Sequence, residues 1–309
     1  MVGCGSIGRR HVANLLRRRD VTRVLVFSRR RNGLAGLNLE GGRVRRVKSL
    51  GDAEADFAMI CNETGRHVEA AMTLAKRGVP LFIEKPLSHK SKEIGRLRAS
   101  VRRRKVPVFV AYNLRFLGAL RRLKKLIDGG TLGKLCCARI EAGQFLPDWR
   151  PGRDWRLSYS AHHSRGGGVA LDLSHEIDYM RWLFGEPVFW RVDKSRAGNL
   201  PLRAEDLFEG IYRFKRGFLC SVHLDYLQKP PRRLIRVIGT RGSVEVDLFG
   251  RRFVKIVNGR ESVLKAPSLF EVQGTYAAEL GHFIRELKSG KRLIPGLDDG
   301  ARVLELINV

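Results

Sequence analysis

The chain has 309 residues, 43% hydrophobic and 29% charged, with 59 Lys+Arg against 31 Asp+Glu and a formal net charge of +28. That length and apolar share exclude a disordered chain and suit one large or two ordinary domains with a buried core. No apolar run approaches the roughly 18–20 residues of a membrane helix, and no charged-then-apolar leader opens the chain.

The first third alternates short apolar runs with helical periodicity, as a parallel sheet wrapped by helices requires. Val24–Phe27, Phe57–Ile60, Leu81–Ile83 and Val108–Ala111 are the strand-like runs. Val68, Ala71, Met72 and Ala75 form one helical stripe, Ile94, Leu97 and Val101 a second, and Leu120, Leu123 and Ile127 a third. Further on, Cys136–Phe145, Leu207–Phe214, Phe218–Leu224, Leu234–Ile238, Ser243–Leu248 and Phe253–Val257 read as strands. Phe214–Phe218 and Gly239–Gly242 supply hairpin turns, and helices are expected at Glu176–Phe184 and Tyr276–Leu287. The expected architecture is α/β followed by α+β. Residues 1–113 form a doubly wound, Rossmann-type dinucleotide domain. Residues 114–309 form a substrate-binding and oligomerisation domain on a large, mostly antiparallel open sheet. No linker tract separates them, and the open sheet points to a homodimer or homotetramer.

Five cysteines (Cys4, Cys61, Cys136, Cys137, Cys220), odd in number and set in apolar segments, fit neither a disulfide framework nor zinc spacing. They imply a reducing, cytoplasmic compartment and no metal site. The surplus of arginine is spread along the chain, as at Arg17–Arg19, Arg43–Lys48 and Arg121–Lys125. With no basic tail and no interleaved aromatics, it reads as solvated helix faces rather than a nucleic-acid surface.

Gly3-Cys-Gly5-Ser-Ile-Gly8 runs into a helical pattern. The first glycine permits a tight turn, the second lets backbone approach a pyrophosphate, and the third lets helix and strand pack closely. Gly3, Gly5, Ser6, Ile7 and Gly8 are therefore the expected pyrophosphate contacts. About twenty residues on, a carboxylate would hold the ribose 2′-hydroxyl of NAD. Here Ser28, Arg29 and Arg30 follow the strand instead, a hydroxyl and guanidinium forks that suit the 2′-phosphate of NADP, with NAD left possible. Only Met1 and Val2 precede Gly3, where a longer central strand is expected, so the chain is expected to begin upstream.

Three further motifs follow in order: Phe57–His67 with Asn62 at its turn, Glu84-Lys85-Pro86, and Gly166-Gly-Gly-Val-Ala-Leu-Asp172-Leu-Ser-His175. With Tyr112-Asn113-Leu-Arg115-Phe116, they resemble the glucose–fructose oxidoreductase, inositol dehydrogenase and rhizopine-catabolism (Gfo/Idh/MocA) family over essentially the whole chain. The resemblance implies a dehydrogenase or reductase acting on CH–OH groups of sugar-type substrates. It makes Lys85 the catalytic lysine beside the nicotinamide and matches Asp172 and His175 to the family's Asp/His pair, with the histidine moving the hydroxyl proton. Asn62 and Glu84 are implied cofactor contacts, and Asn113 and Arg115 substrate contacts. The chemistry agrees: imidazole titrates near neutral pH, and a cation beside the reacting oxygen stabilises the developing alkoxide.

Asp172 and His175 stand three apart, so a continuous helix would place both on one face. The family more often spaces them four apart, and more often has His-Pro where this chain has Leu117-Gly118. A catalytically impaired nicotinamide-binding sensor therefore stays open, as does, further off, a nucleic-acid binder on a Rossmann scaffold. His67 reads as a helix-start packing residue. The stretch Gln144–Ser160 carries Trp149, Arg150, Arg153, Trp155 and Tyr159. Aromatic faces stack on sugar rings and guanidiniums clamp anions, so an acidic or nucleotide-linked sugar is the expected substrate.

Overall fold

The computed structural model describes residues 1–29, 42–51, 54–152 and 154–308. They divide into two units, each with its own core: residues 1–112 with 276–305, and residues 113–275 with 306–308.

In the first unit, α1 (Ser6–Leu16) follows the glycine turn. Then come β1 (Val24–Val26), β2 (Val44–Arg46), β3 (Ala58–Ile60), α2 (His67–Ala75), β4 (Leu81–Glu84), α3 (Ser91–Arg104) and β5 (Val108–Ala111). β1 pairs with β2 and β3–β4–β5 form a second ladder, every pairing parallel. Val2 bridges Phe27 on one side and Ile60 on the other, so Met1–Gly3 fills the central place between the two ladders. β4 and β5 are buried along their whole length, as strands covered on both faces must be.

Residues 114–309 were expected to form one second domain, and the structure departs from this. Residues 276–305, holding most of α7 (Gln273–Lys288) and α8 (Leu297–Leu306), pack on the first unit. Burial of aromatic surface accounts for it: Phe283 lies 5.4 Å from Phe82, 5.8 Å from Phe109 and 5.1 Å from Phe57, ring centre to ring centre.

The second unit opens with α4 (Gly118–Asp128) and β6 (Leu135–Gly143), then two short helices, α5 (Val169–Asp172) and α6 (His175–Phe184). The remaining strands are β7 (Phe189–Ser195), β8 (Leu207–Arg213), β9 (Leu219–Asp225), β10 (Arg232–Gly239), β11 (Gly242–Asp247), β12 (Arg252–Val257) and β13 (Arg260–Leu264). They form one sheet in the order β13-β12-β11-β10-β6-β9-β8-β7, antiparallel except where β6 meets β9. Period-two alternation divides its faces. Ile140, Val222, Phe208 and Ile235 turn inward, while Arg139, Ser221, Glu209 and Arg236 turn out. α5 packs on β8 and β9, and Arg233 of β10 reaches Glu176 of α6 at 2.6 Å.

The helix expected to carry Asp172 and His175 on one face is broken. Leu173 (φ −98°, ψ 28°) leaves helical geometry, so Asp172 ends α5 and His175 begins α6. Among the described residues, no helix is long and apolar enough to cross a membrane.

Candidate active site

In the first unit, the carboxyl ends of neighbouring parallel strands gather one set of residues. Gly3 follows Val2, Ser28 follows β1, Asn62 follows β3, and Glu84 and Lys85 stand at the end of β4. That edge is where doubly wound sheets bind ligands. A Cβ on Gly3 (φ +86°) would stand 2.6 Å from the Asn62 nitrogen, and one on Gly8 2.4 Å from the Gly3 carbonyl oxygen. Packing therefore requires both glycines. Gly5, the N-cap of α1, has open space where a Cβ would go. No side chain caps α1 and no acidic residue enters its first turn, so its N–H groups and positive dipole end suit an anion. Ser6, exposed, and Ile7, half-buried, open that turn. Asn62 Nδ2, as assigned, donates to the Arg66 carbonyl at 3.3 Å, and its Oδ1 is buried without a partner. An orphaned acceptor beside a glycine cradle fits a dinucleotide.

Ser28 is buried, and its carbonyl accepts from Arg46 Nη2 at 3.2 Å. Arg29 is exposed, 3.4 Å from Glu69 in a solvent-screened pair. Arg30 lies outside the described residues, as does Arg153. Arg46 was missed as a neighbour of Ser28; its signal was the charge run Arg43–Lys48.

Glu84 was expected to touch cofactor, and its carboxylate has protein partners instead. Oε1 lies 2.7 Å from His11 Nε2, and Oε2 accepts from the Lys85 backbone N–H at 3.3 Å. Both side chains are buried, and the pair ties α1 to the residue before Lys85. Cys61 Sγ joins them, the three ligand-type atoms lying within 4.8 Å of one another. The 2.7 Å separation is that of a hydrogen bond, shorter than the roughly 3.3 Å between two ligands on a tetrahedral ion. Burial pushes the Cys61 thiol well up, so it stays protonated. His67 opens α2, fully buried, with its ring nitrogens 2.9 Å from the Pro86 carbonyl and 3.1 Å from that of Asn62. Burial lowers its pKa, which suits a packing residue that fixes the Lys85–Pro86 loop.

In the second unit, the four-residue α5 delivers Asp172, which is buried, and α6 begins with the half-buried His175. Tyr226, at the end of β9, donates its hydroxyl to Asp172 Oδ2 at 2.6 Å. The negative charge of Asp172, followed by burial, pushes the Tyr159 pKa up. Tyr159, expected at the substrate, lies half-buried in a 3-10 turn. Glycines 166–168 make room for this. A Cβ on Gly167 would meet the Tyr159 carbonyl oxygen at 2.1 Å, and one on Gly168 (φ +123°) would meet Glu205 Oε1 at 2.3 Å. Burial raises the Glu205 carboxyl, and the Glu205 backbone carbonyl accepts from the Val169 N–H at 3.2 Å at the start of α5.

The loop residues divide between scaffold and surface. The Trp149 ring meets Tyr226 edge-on at 5.2 Å while its Nε1 donates to the Gln144 carbonyl at 3.1 Å. Arg150, exposed, lies over the Tyr159 ring at 5.8 Å. Trp155, half-buried, begins a 3-10 turn capped by Asp154, which also pairs with Arg156 at 2.8 Å. Asn113 and Arg115, expected at the substrate, have partners inside the unit. Asn113 Nδ2 donates to Thr275 Oγ1 at 2.7 Å, and Arg115 grips Asp178 through both carboxylate oxygens at 2.8 and 2.7 Å. Sequence reasoning missed His11, Asp178, Glu205 and Tyr226; the polar side chains of His11 and Asp178 on otherwise apolar helical stripes were the available signal.

Residues 1–112 match a family model described as "Oxidoreductase family, NAD-binding Rossmann fold", and residues 120–245 match "GFO/IDH/MocA C-terminal domain". Myo-inositol 2-dehydrogenase of Thermotoga maritima is 26% identical over 329 aligned positions, covering 99% of this chain and 92% of its own. The rhizopine catabolism protein MocA of Rhizobium meliloti is 30% identical over 208 positions, covering 64% of this chain and 60% of its own. A solved levoglucosan dehydrogenase, in complex with NADH and levoglucosan, is 20% identical with a TM-score of 0.86, covering 99% of this chain and 94% of its own. At that identity the likeness is one of fold.

Proposed function

The chain belongs to the GFO/IDH/MocA oxidoreductase family, and from that premise we propose that it interconverts a secondary alcohol and a ketone on a sugar-type substrate by hydride transfer. The observation that carries this reading is the row of residues along the strand ends of the first unit. Gly3, Asn62 and Lys85 stand there beside the open N-terminus of α1.

Gly3, Gly5, Ser6, Ile7 and Gly8 would hold the pyrophosphate, and Asn62 Oδ1 would accept from a ribose hydroxyl. When bound, the oxidised dinucleotide supplies the acceptor for the hydride that the substrate carbon gives up. The work of the chain itself is with the proton and the oxygen. Lys85 holds the reacting oxygen and stabilises its developing charge, His175 takes the hydroxyl proton, and Asp172 supports them. In the reverse direction His175 returns the proton to the alkoxide.

NADP(H) is the preferred cofactor on this reading, because Ser28 and Arg29, with Arg46 beside Ser28, offer donors to a 2′-phosphate, and position 28 holds a hydroxyl rather than a carboxylate. Arg150, Trp149 and Trp155 would meet a sugar ring bearing an acidic group. Self-association as a dimer or tetramer is supported by the exposed apolar side chains Ile211 and Leu219 on the outer sheet face. A reducing, cytoplasmic setting is supported by five free thiols.

The test is Lys85→Met, assayed on myo-inositol and a panel of sugars and sugar acids with NADP+ and NAD+. Turnover is expected to vanish while dinucleotide affinity, read by fluorescence titration, stays within about twofold of wild type. Activity retained in the variant would remove Lys85 from the mechanism.

A further inference from the structure

We infer that Tyr226 is a positioning residue, a phenol that holds the Asp172 carboxylate in place for the proton transfer. The inference rests on the hydride-transfer reading and deepens it by naming what orients Asp172.

A carboxylate can only accept, so a phenol beside it must donate. The Tyr226 contact, 2.6 Å from hydroxyl to Oδ2, has the length of a charge-assisted O–H···O bond. Tyr226 directly follows a central strand, its own N–H donating to the Asp206 carbonyl at 2.9 Å, and Trp149 packs on its ring.

This anchored phenol answers a mechanical weakness. α5 is one turn long, and the backbone breaks at Leu173 directly after Asp172. Glu205 secures the start of α5, its carbonyl accepting from the Val169 N–H at 3.2 Å, and the Tyr226 phenol secures its end. Trp149, from the loop expected at the substrate, packs on the Tyr226 ring. The loop that would meet substrate is thereby joined to Asp172.

A double-mutant cycle between Tyr226→Phe and Asp172→Asn tests this. On myo-inositol, or whichever sugar of the panel is turned over, Tyr226→Phe is expected to lower kcat tenfold or more. KM for the sugar and Kd for NADPH should stay within about twofold. Tyr226→Phe should add nothing on an Asp172→Asn background. Losses that multiply across the two sites, or a fall confined to affinity, would overturn the inference. Should wild type turn over no sugar with either dinucleotide, the hydride-transfer reading fails on its own. The cycle is then read on the unfolding midpoint of the cofactor-free protein. Non-additive shifts keep the phenol–carboxylate clamp and additive ones discard it.

Discussion

His11 Nε2 on the first helix lies 2.7 Å from Oε1 of Glu84, the residue immediately before Lys85. The helix whose N-terminus is shaped for pyrophosphate and the loop that carries the lysine are thereby locked together through two buried side chains. Removing the ring strands a carboxylate away from water, and breaking a buried pair this way costs about 3–5 kcal/mol in other proteins. His11→Ala is expected to lower the free energy of unfolding by about 2–4 kcal/mol, water entering the cavity to recover part of the loss. It should also weaken dinucleotide binding severalfold, although His11 is wholly buried. Denaturant melts and NADPH fluorescence titration check both effects. Unchanged affinity at reduced stability would confine the pair to the core.

Ser28 sets a second expectation. A carboxylate placed there would repel a 2′-phosphate and accept from a 2′-hydroxyl. Ser28→Asp is expected to shift the ratio of NADPH to NADH dissociation constants at least tenfold toward NADH, about 1.4 kcal/mol. Wild type binding NADH more tightly than NADPH would refute the preference before any variant is made.

The central strands were legible because they are runs of buried apolar residues, as at Leu81–Glu84 and Val108–Ala111. The strands that escaped sequence reasoning, β2, β7 and β13, each lie at an edge of their ladder among the described residues. An edge strand is partly solvated and carries no such run: Val44-Arg-Arg has one buried residue, and Arg260–Leu264 has none. At the site, residue types were legible and partners were not. Tyr226 meets Asp172 across 54 positions, Arg115 meets Asp178 across 63, and His11 meets Glu84 across 73. Nothing local encodes such pairs. Glycines 166–168 were visible as a motif, but their reason, room for the Tyr159 carbonyl and the Glu205 carboxyl, exists only in the fold.

Gly168 gives that reason a measurable form. At φ +123° an L-residue is strained, and its Cβ would occupy the space of the Glu205 carboxyl. Strain of this kind costs about 1–3 kcal/mol and the steric conflict adds to it. Gly168→Ala is expected to destabilise the protein by about 2–4 kcal/mol. A Glu205→Ala background, which removes the conflicting carboxyl, should show a smaller additional loss. Equal losses in both backgrounds would mean that backbone strain alone fixes the glycine.

His223, on the outer face of the sheet, provides a pH test remote from Asp172 in sequence. Its Nδ1 lies 2.5 Å from Glu209 Oε1 on β8, and its Nε2 lies 3.1 Å from Asp225 Oδ2. Glu141, its register partner on β6, adds a third carboxylate on that face. The hydrogen bond to Asp225, and then the one to Glu209, raise the imidazole pKa to about 9 against partial burial. An unfolded histidine titrates near 6.5. The folded state therefore holds the proton more tightly, and stability falls as pH rises between those values. The stabilisation is complete below about 6.5 and gone above about 9. The unfolding midpoint of wild type should drop across that window, while His223→Gln, which has no charge to lose, should show a flatter profile. Above pH 9.5 the difference between the two proteins should have stopped changing. Parallel profiles through the whole window would show that this histidine does not carry its proton there.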